Sequence, residues 1–287
     1  MAEPGPVLVI GDIHGELAKL TTLLQAAKII DNAGHWCANN TELWFTGDFF
    51  DRGPDGIGVV ELIMRLQTEA AACGGCVGAL LGNHEPLFLG AWRFGSRRNG
   101  WGLSFRDCWE RNGGQRTDME RLKPTHLAWL TNLPGMALVA DRLLIHADAT
   151  LYPEYGRSIE QVNAAFVNVL HSDDSDAWER LFDQFSERLA FADKRPGQPH
   201  PARQAQAAKL LELYGGRQII HGHTPISTIL GVRSEAVTQP LVYAAGLCVN
   251  VDSGMCAGGP GFVYTLPPLD PGEVQPAPPR RLSWKWL

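Results

Sequence analysis

The sequence predicts an α/β fold, a sandwich of mixed β-sheets flanked by helices, and three observations point to it. The chain runs three times from an apolar strand through a Gly-containing polar cluster into a helix, the βαβ arrangement of a largely parallel sheet. Farther on, short strand-like segments separated by Gly suggest a more antiparallel second half. The polar clusters fall at the carboxyl ends of the strands, where ligands bind in such sheets, so residues distant in sequence are expected to meet there.

Taken in order, Val7-Leu8-Val9-Ile10 is the first strand and stops at Gly11-Asp12. Leu17, Leu20, Leu24 and Ala27 then recur at the spacing of one helical face, which predicts a helix packed on a sheet. Leu43-Trp44-Phe45-Thr46 ends at Gly47-Asp48 and is followed by the helical spacing of Ile57, Val60 and Met64. Val77 to Leu81 is the third strand and ends at Gly82-Asn83-His84. Ala137 to Ala140 and Leu143 to Ile145 read as a hairpin with Asp141-Arg142 as its turn, delivering His146. Helical patterns between Ser158 and Tyr214 are broken by a loop, Arg195 to Pro201, ahead of a helix from Ala202. Gln218-Ile219-Ile220 delivers His221-Gly222-His223, and Leu241 to Ala245, Leu247 to Val251 and Gly261 to Leu266 are strand-like. This predicts one catalytic domain over residues 1–266 and a tail over 267–287, where six prolines exclude regular structure.

Composition narrows the function. With 25 Lys+Arg against 31 Asp+Glu the 287-residue chain carries a net charge of −6. A mildly acidic chain without a long basic run does not neutralise many phosphates, which argues against bulk nucleic-acid binding. No apolar run approaches the about 18 to 20 residues that span a bilayer, and Met1 to Pro6 lacks a basic segment followed by an apolar one, so a cytoplasmic protein without a membrane partner is expected. Cys73-Gly74-Gly75-Cys76 has CxxC spacing, but no second pair supplies the remaining ligands of a structural zinc site, and a Gly-rich turn is the simpler reading.

The chemistry resides at the strand ends. Asp12 and His14 stand two apart, so in extended backbone both side chains face the same way and can hold one ion. Asp48, Asn83, His146 and His223 follow four further strands. A lone strand-end Asp is usually a turn or helix cap, and a lone His a satisfied core residue. Six oxygen and nitrogen ligands in an ordered set, with no thiolate, instead suit two hard or borderline divalent ions such as Mn²⁺, Fe or Zn²⁺, with Asp48 able to bridge them. Two such ions about 3.5 to 4 Å apart share and activate a water and clamp the attacking and leaving oxygens of an in-line phosphoryl displacement.

Gly11-Asp12-Ile13-His14-Gly15, Gly47-Asp48-Phe49-Phe50-Asp51-Arg52-Gly53 and Gly82-Asn83-His84-Glu85 resemble the signature blocks of the calcineurin-like metallophosphoesterases, and more narrowly of the phosphoprotein phosphatases, including the bacterial serine/threonine type. Later blocks have counterparts in Trp109 to Thr117, His146-Ala147-Asp148, Gly222-His223-Thr224-Pro225 and Val251-Asp252-Ser253-Gly254. The resemblance covers about residues 7 to 266. It implies that Asp12, His14 and Asp48 bind one metal and that Asp48, Asn83, His146 and His223 bind the other. It implies that His84 is the general acid, that Asp51 holds its imidazole, and that Arg52 clamps phosphate oxygens bidentately.

Two departures matter. The arginine that these phosphatases usually carry before GNHE is Leu81 here, and the usual HGG or HAG is His146-Ala147-Asp148, which adds a negative charge near the site. A second family arginine has Arg195 as its candidate. The basic and aromatic segment Trp92 to Trp101 offers a substitute: Arg97 or Arg98 is expected to reach the substrate phosphate, and Trp92 or Trp101 to stack on a base or peptide side chain. The competing reading is an exposed loop with its tryptophans packed into the body. Glu85 is expected to be a buried hydrogen-bonding partner, and His221 a structural neighbour of the site.

The leading functional expectation is hydrolysis of phosphate monoesters, phosphoserine and phosphothreonine in proteins foremost, with a phosphoprotein or a small phosphoester as partner. The alternative is a symmetrical diadenosine tetraphosphate hydrolase, compatible with Leu81; His14, where those hydrolases commonly carry Gln, and Asp51-Arg52-Gly53 favour the monoester. A catalytically dead scaffold of the same fold is the non-enzyme alternative, and the competent residue at every ligand position argues against it.

Overall fold

The computed structural model describes residues 5–97, 102–192 and 200–267; Arg98, Trp101, Arg195 and the Pro-rich segment from residue 268 lie outside them. Strand β1 (Val7–Ile10), helix α1 (Leu17–Ala26), β2 (Glu42–Phe45), α2 (Gly56–Ala72), β3 (Cys76–Ala79) and α3 (His84–Phe94) realise the three expected strand-to-helix repeats. Short helices α4 (Phe105–Arg111), α5 (Arg116–Arg121) and α6 (Pro124–Leu130) lead to the hairpin β4 (Met136–Val139) and β5 (Arg142–Ile145). Helices α7 (Tyr152–Tyr155), α8 (Ile159–His171), α9 (Ser175–Phe185) and α10 (Pro201–Tyr214) precede β6 (Gln218–His221), α11 (Ile226–Leu230), β7 (Leu241–Tyr243), β8 (Cys248–Asn250) and β9 (Tyr264–Thr265).

The strands form two sheets. In the first, ordered β3-β2-β1-β9, three strands are parallel and β9 is an antiparallel edge. In the second, ordered β4-β5-β6-β8-β7, the central β5, β6 and β8 are parallel and both edges antiparallel. The second half is therefore less antiparallel than expected. The cause is the long helical connection from β5 to β6, a crossover that returns the chain in the same direction, as parallel pairing requires.

Side-chain alternation makes the layers. Val9, Trp44 and Leu80 from the first sheet meet Leu144, Ile220 and Val249 from the second in one apolar cluster, so these residues fill the space between the sheets. Their neighbours Ile10, Leu43, Phe45, Leu143, Ile145 and Ile219 point the other way and join the larger core that the helices build. Both sheets thus present the carboxyl ends of their parallel strands at a common rim, rather than one sheet supplying every polar cluster.

The hairpin differs from expectation by one residue. Its turn is Ala140-Asp141, both left-handed with φ 43° and 61°, while Arg142 pairs with Val139 inside β5. Two positive φ values define the turn whose twist matches paired strands, and Asp tolerates that conformation. The Asp141 carboxylate also accepts from Arg142 and Arg217, which fixes it in the turn.

Candidate metal centre

Asp12 and His14 leave the end of β1, Asp48 follows β2, Asn83 and His84 open α3, His146 follows β5 and His223 follows β6. All are buried. The loops that carry them are bonded to one another through the backbone: Ile13 and His14 N–H donate to the Asp48 carbonyl at 3.2 and 2.9 Å, and Gly222 N–H to the His146 carbonyl at 2.9 Å. Glu85 is the partner expected of it. Its carboxylate accepts from Gly82 N–H at 2.7 Å, Phe49 N–H at 2.8 Å and Asp48 N–H at 3.0 Å, pinning the second and third signature blocks together.

His14 does not alternate with Asp12 in extended backbone. His14, Asp48, Asp51, Arg52 and His223 all have left-handed backbone, with φ between 48° and 70°. Such non-glycine conformations cost on the order of 1 to 3 kcal/mol each and persist where surrounding structure enforces them, which functional sites commonly do. Asp12 and His14 converge through a tight turn instead, with Asp12 Oδ2 4.0 Å from His14 Nε2.

The two oxygens of Asp48 face different nests. Oδ2 lies 3.5 Å from His14 Nε2 and 4.0 Å from His84 Nε2, while Oδ1 lies 3.4 Å from His146 Nε2. His14, Asp48 and His84 form one group able to surround an ion, and Asp48, His146 and His223 a second. Within the second, His146 Nε2 is 3.1 Å from both Asn83 Oδ1 and His223 Nδ1. Since His146 Nδ1 sits 2.9 Å from the Thr46 carbonyl, that nitrogen carries the proton, and Nε2 turns a lone pair toward other acceptors. A cation, not a hydrogen bond, reconciles acceptors that converge in this way. Asp48 Oδ2 and His223 Nε2 are buried with no hydrogen-bond partner, and the oxygen and imidazole donors suit a divalent ion.

Electrostatics agree. Burial holds His14 and His223 well below the ordinary imidazole value, helped by His84 beside the first and His146 beside the second, and holds His146 down at about 4, so these rings are neutral and able to ligate. Burial, then Asp252, then Asp48 raise Asp12 well above the carboxylate range, against the His223 N–H and the Arg188 charge. Its carboxylate is placed by His223 N–H, 3.0 Å from both oxygens.

His84 has a different partner. Its Nδ1 lies 2.6 Å from Asp51 Oδ2, and Trp109 Nε1 donates to Asp51 Oδ1 at 2.7 Å. Burial disfavours the imidazolium, but Asp48 and Asp51 outweigh it and raise the His84 pKa above its ordinary value. The Arg52 guanidinium lies 2.8 Å from His14 Nε2 and 3.1 Å from His84 Nε2.

Among the described residues the guanidiniums at this site are those of Arg52 and Arg188. Arg188, just beyond α9, donates to the His223 carbonyl, and its charge acts on Asp12, Asp148, Asp252, His146 and His223. The sequence reading missed it and named Arg195, which lies outside the described residues, as does Arg98. Nothing in the pattern separates Arg188 from its neighbours; only the return of the chain from α9 brings it in. Arg97 is exposed in the turn after α3, and Trp92 is 47% exposed. Asp252 was also missed as a site residue: burial pushes it up to about 6, against the Gly254 N–H that it accepts at 2.8 Å. Asp148 is buried behind the ligands and accepts from Thr224 Oγ1 at 3.1 Å. His221 lies outside both nests, with Nε2 accepting from Tyr243 Oη at 2.7 Å.

Comparison with known proteins places these observations. Shewanella-like protein phosphatase 1 of Plasmodium berghei (strain Anka) is 38% identical over 85 residues, 30% of this chain and 24% of that protein. A symmetrical bis(5'-nucleosyl)-tetraphosphatase of Erwinia tasmaniensis is 28% identical over 183 residues, 59% of this chain and 58% of that protein. The chain thus spans between about a quarter and three fifths of these relatives' lengths. The solved structure of a cold-active protein-tyrosine phosphatase of a psychrophile Shewanella sp. has the same fold, with a TM-score of 0.66 and 23% identity over 90% of this chain and 74% of that one. The family model for calcineurin-like phosphoesterases matches residues 5–227, which include every strand end from Asp12 to His223, and the chain belongs to that family.

Proposed function

We propose that this protein is a metal-dependent phosphatase that hydrolyses phosphate monoesters, phosphoserine and phosphothreonine in proteins foremost, through a catalytic domain over residues 1–266. The observation that carries the reading is the division of the Asp48 oxygens between two imidazole nests beside a His84–Asp51 pair. Asp12, His14 and Asp48 would hold one divalent ion and Asp48, Asn83, His146 and His223 the other, with Mn²⁺ as the ion proposed. Bound there, such ions would supply an activated water and positive charge to balance that of the phosphoryl group.

The chain's own residues do the rest. Arg52 and Arg188 bind and orient phosphate oxygens, which a planar guanidinium does through paired N–H groups. His84 gives its Nε2 proton to the departing oxygen, and Asp51 stabilises the imidazolium that carries it. His84 shares a potential ion group with His14, but a carboxylate partner suits a proton donor, whereas His14 Nδ1 bonds a backbone carbonyl, that of Phe50, at 2.8 Å.

A second reading, hydrolysis of symmetrical diadenosine tetraphosphate, is favoured by the longer match to the Erwinia protein and by Leu81. The test is kcat/KM measured in parallel on phosphoserine and phosphotyrosine peptides, an aryl phosphate and diadenosine tetraphosphate, with Mn²⁺ and with a chelator control. The monoesters are expected to dominate; a preference for the dinucleotide above about tenfold, roughly 1.4 kcal/mol of transition-state discrimination, replaces the first reading by the second.

A further inference from the structure

The block Trp109 to Gly114 contributes no proposed metal ligand, yet it bonds to Asp51, the partner of His84, and to Arg52, the proposed anion clamp. Trp109 is fully buried, and its indole N–H donates to Asp51 Oδ1 at 2.7 Å. The other oxygen of the same carboxylate, Oδ2, meets His84 Nδ1 at 2.6 Å. Asp51 and Arg52 stand next to each other in left-handed backbone, φ 70° and 69°, and Arg52 N–H donates to the Gly113 carbonyl at 2.8 Å. Gly114 gives the indole its place: a Cβ there would lie 2.3 Å from Trp109 Cε2 and 2.7 Å from Nε1.

From this juxtaposition we infer that Trp109 is a positioning residue that acts through Asp51, with Gly113-Gly114 as its support, to hold the His84 imidazole toward the leaving oxygen. The physical reason is the geometry of a carboxylate. A buried Asp51 with one bonded oxygen can rotate about its terminal torsion and present either oxygen to His84, and the torsional well is broad. An N–H fixed on the second oxygen selects one orientation, and the indole, packed against Phe88 at a ring separation of 6.1 Å, has no freedom to follow. Losing the donor leaves a buried charged oxygen without a partner, a costly state that the carboxylate relieves by turning toward whatever donor remains. The inference deepens the phosphomonoester reading and rests on it for its kinetic signature.

The experiment compares Trp109→Phe with the parent on a phosphoserine peptide, whose alkoxide leaving group needs a proton, and on p-nitrophenyl phosphate, whose leaving group does not. Expected is a fall in kcat of about tenfold or more on the peptide, less than about twofold on the aryl ester, an unchanged KM and an unchanged metal content. In an Asp51→Asn background Trp109→Phe is expected to add nothing, because both changes remove one function. Gly114→Ala, which displaces the indole without removing it, is expected to give the same leaving-group signature and guards against a Trp109→Phe protein that fails to fold. Equal losses on the two esters, loss of metal, or additive effects in the double variant overturn the inference. Should the parent hydrolyse neither ester, the functional reading fails, and proton NMR of the His84 Nδ1–H decides the inference by itself: the resonance is expected to move in Trp109→Phe, and an unmoved resonance overturns it.

Discussion

Asp48 joins the two imidazole groups of the candidate centre through one side chain. Each of its oxygens faces a separate group of imidazoles, and Oδ2 is buried without a hydrogen-bond partner. Asp48→Asn removes the shared charge, so it is expected to lose both ions and turnover together, read by elemental analysis and kcat. His84→Asn is expected to separate these effects: kcat falls by about 10² to 10⁴, the usual contribution of a positioned general acid, while metal content stays at the parent level. Loss of metal in that variant would make His84 a ligand instead. Arg188 is the residue that folding adds to the site, and Arg188→Ala is expected to lower kcat/KM by about tenfold or more on phosphate esters, as loss of a charge-assisted contact does. Arg97→Ala, in an exposed turn, is expected to leave it within about twofold; a fall equal to that of Arg188→Ala would return the Trp/Arg segment to the substrate site.

At the scale of elements, the loops at the sheet rim hold one another in place. Gly222 is an example: a Cβ there would come within 2.1 Å of Asp12 Oδ1 and 2.6 Å of Thr46 Oγ1. The turn after β6 approaches the carboxylate of the first block this closely because only hydrogen separates them. The amino end of α2 carries a titratable element of its own. Asp118 accepts from Ile57 N–H at 3.0 Å and Gly56 N–H at 3.1 Å, and burial outweighs these donors and pushes it up to about 6. A carboxyl whose folded pKa lies above its unfolded value of about 3.9 binds its proton more tightly when folded. Its contribution to stability is therefore complete below about pH 4 and is lost as pH rises through about 6. Relative to Asp118→Asn, which carries no charge and gives up one acceptor, the parent is expected to have its largest Tm advantage at pH 4 and a smaller one at pH 7, measured with metal held constant. An advantage that grows with pH would reverse the sign assigned to Asp118.

For the whole molecule, the site lies across the join between the sheets. Asp12, His14, Asp48 and Asn83 come from the first sheet and His146 and His223 from the second, so ions held by both halves would stabilise the folded state that brings them together. Binding at about a hundredfold excess over Kd adds about 2.7 kcal/mol to folding. A chelator is expected to lower Tm in the parent, and to leave Tm unchanged in Asp48→Asn, which has no ion to lose. The apolar filling between the sheets, Trp44 against Val9, Leu144, Ile220 and Val249, is independent of the ions, and the chelated protein is expected to remain folded by circular dichroism.

The amino-acid sequence alone determined the strand-to-helix rhythm, the boundaries of β1 and α1 and the start of α2 to within about a residue or two, and it named in order the polar strand-end residues Asp12, His14, Asp48, Asn83, His84, His146 and His223. These follow from local rules: apolar spacing sets the elements, and polar residues at strand ends have few other places to go. The hairpin turn slipped by one residue because Ala140 carries no turn signal, and its left-handed backbone is imposed by strand pairing. Only tertiary structure divided the strands between two sheets, turned His14 toward Asp48 through a left-handed residue, and drew Arg188 and Asp252 into the site while leaving Arg97 exposed. Residues of these kinds occur all along the chain, and what distinguishes them is distance in space, which the packing of the two sheets decides and no local pattern records.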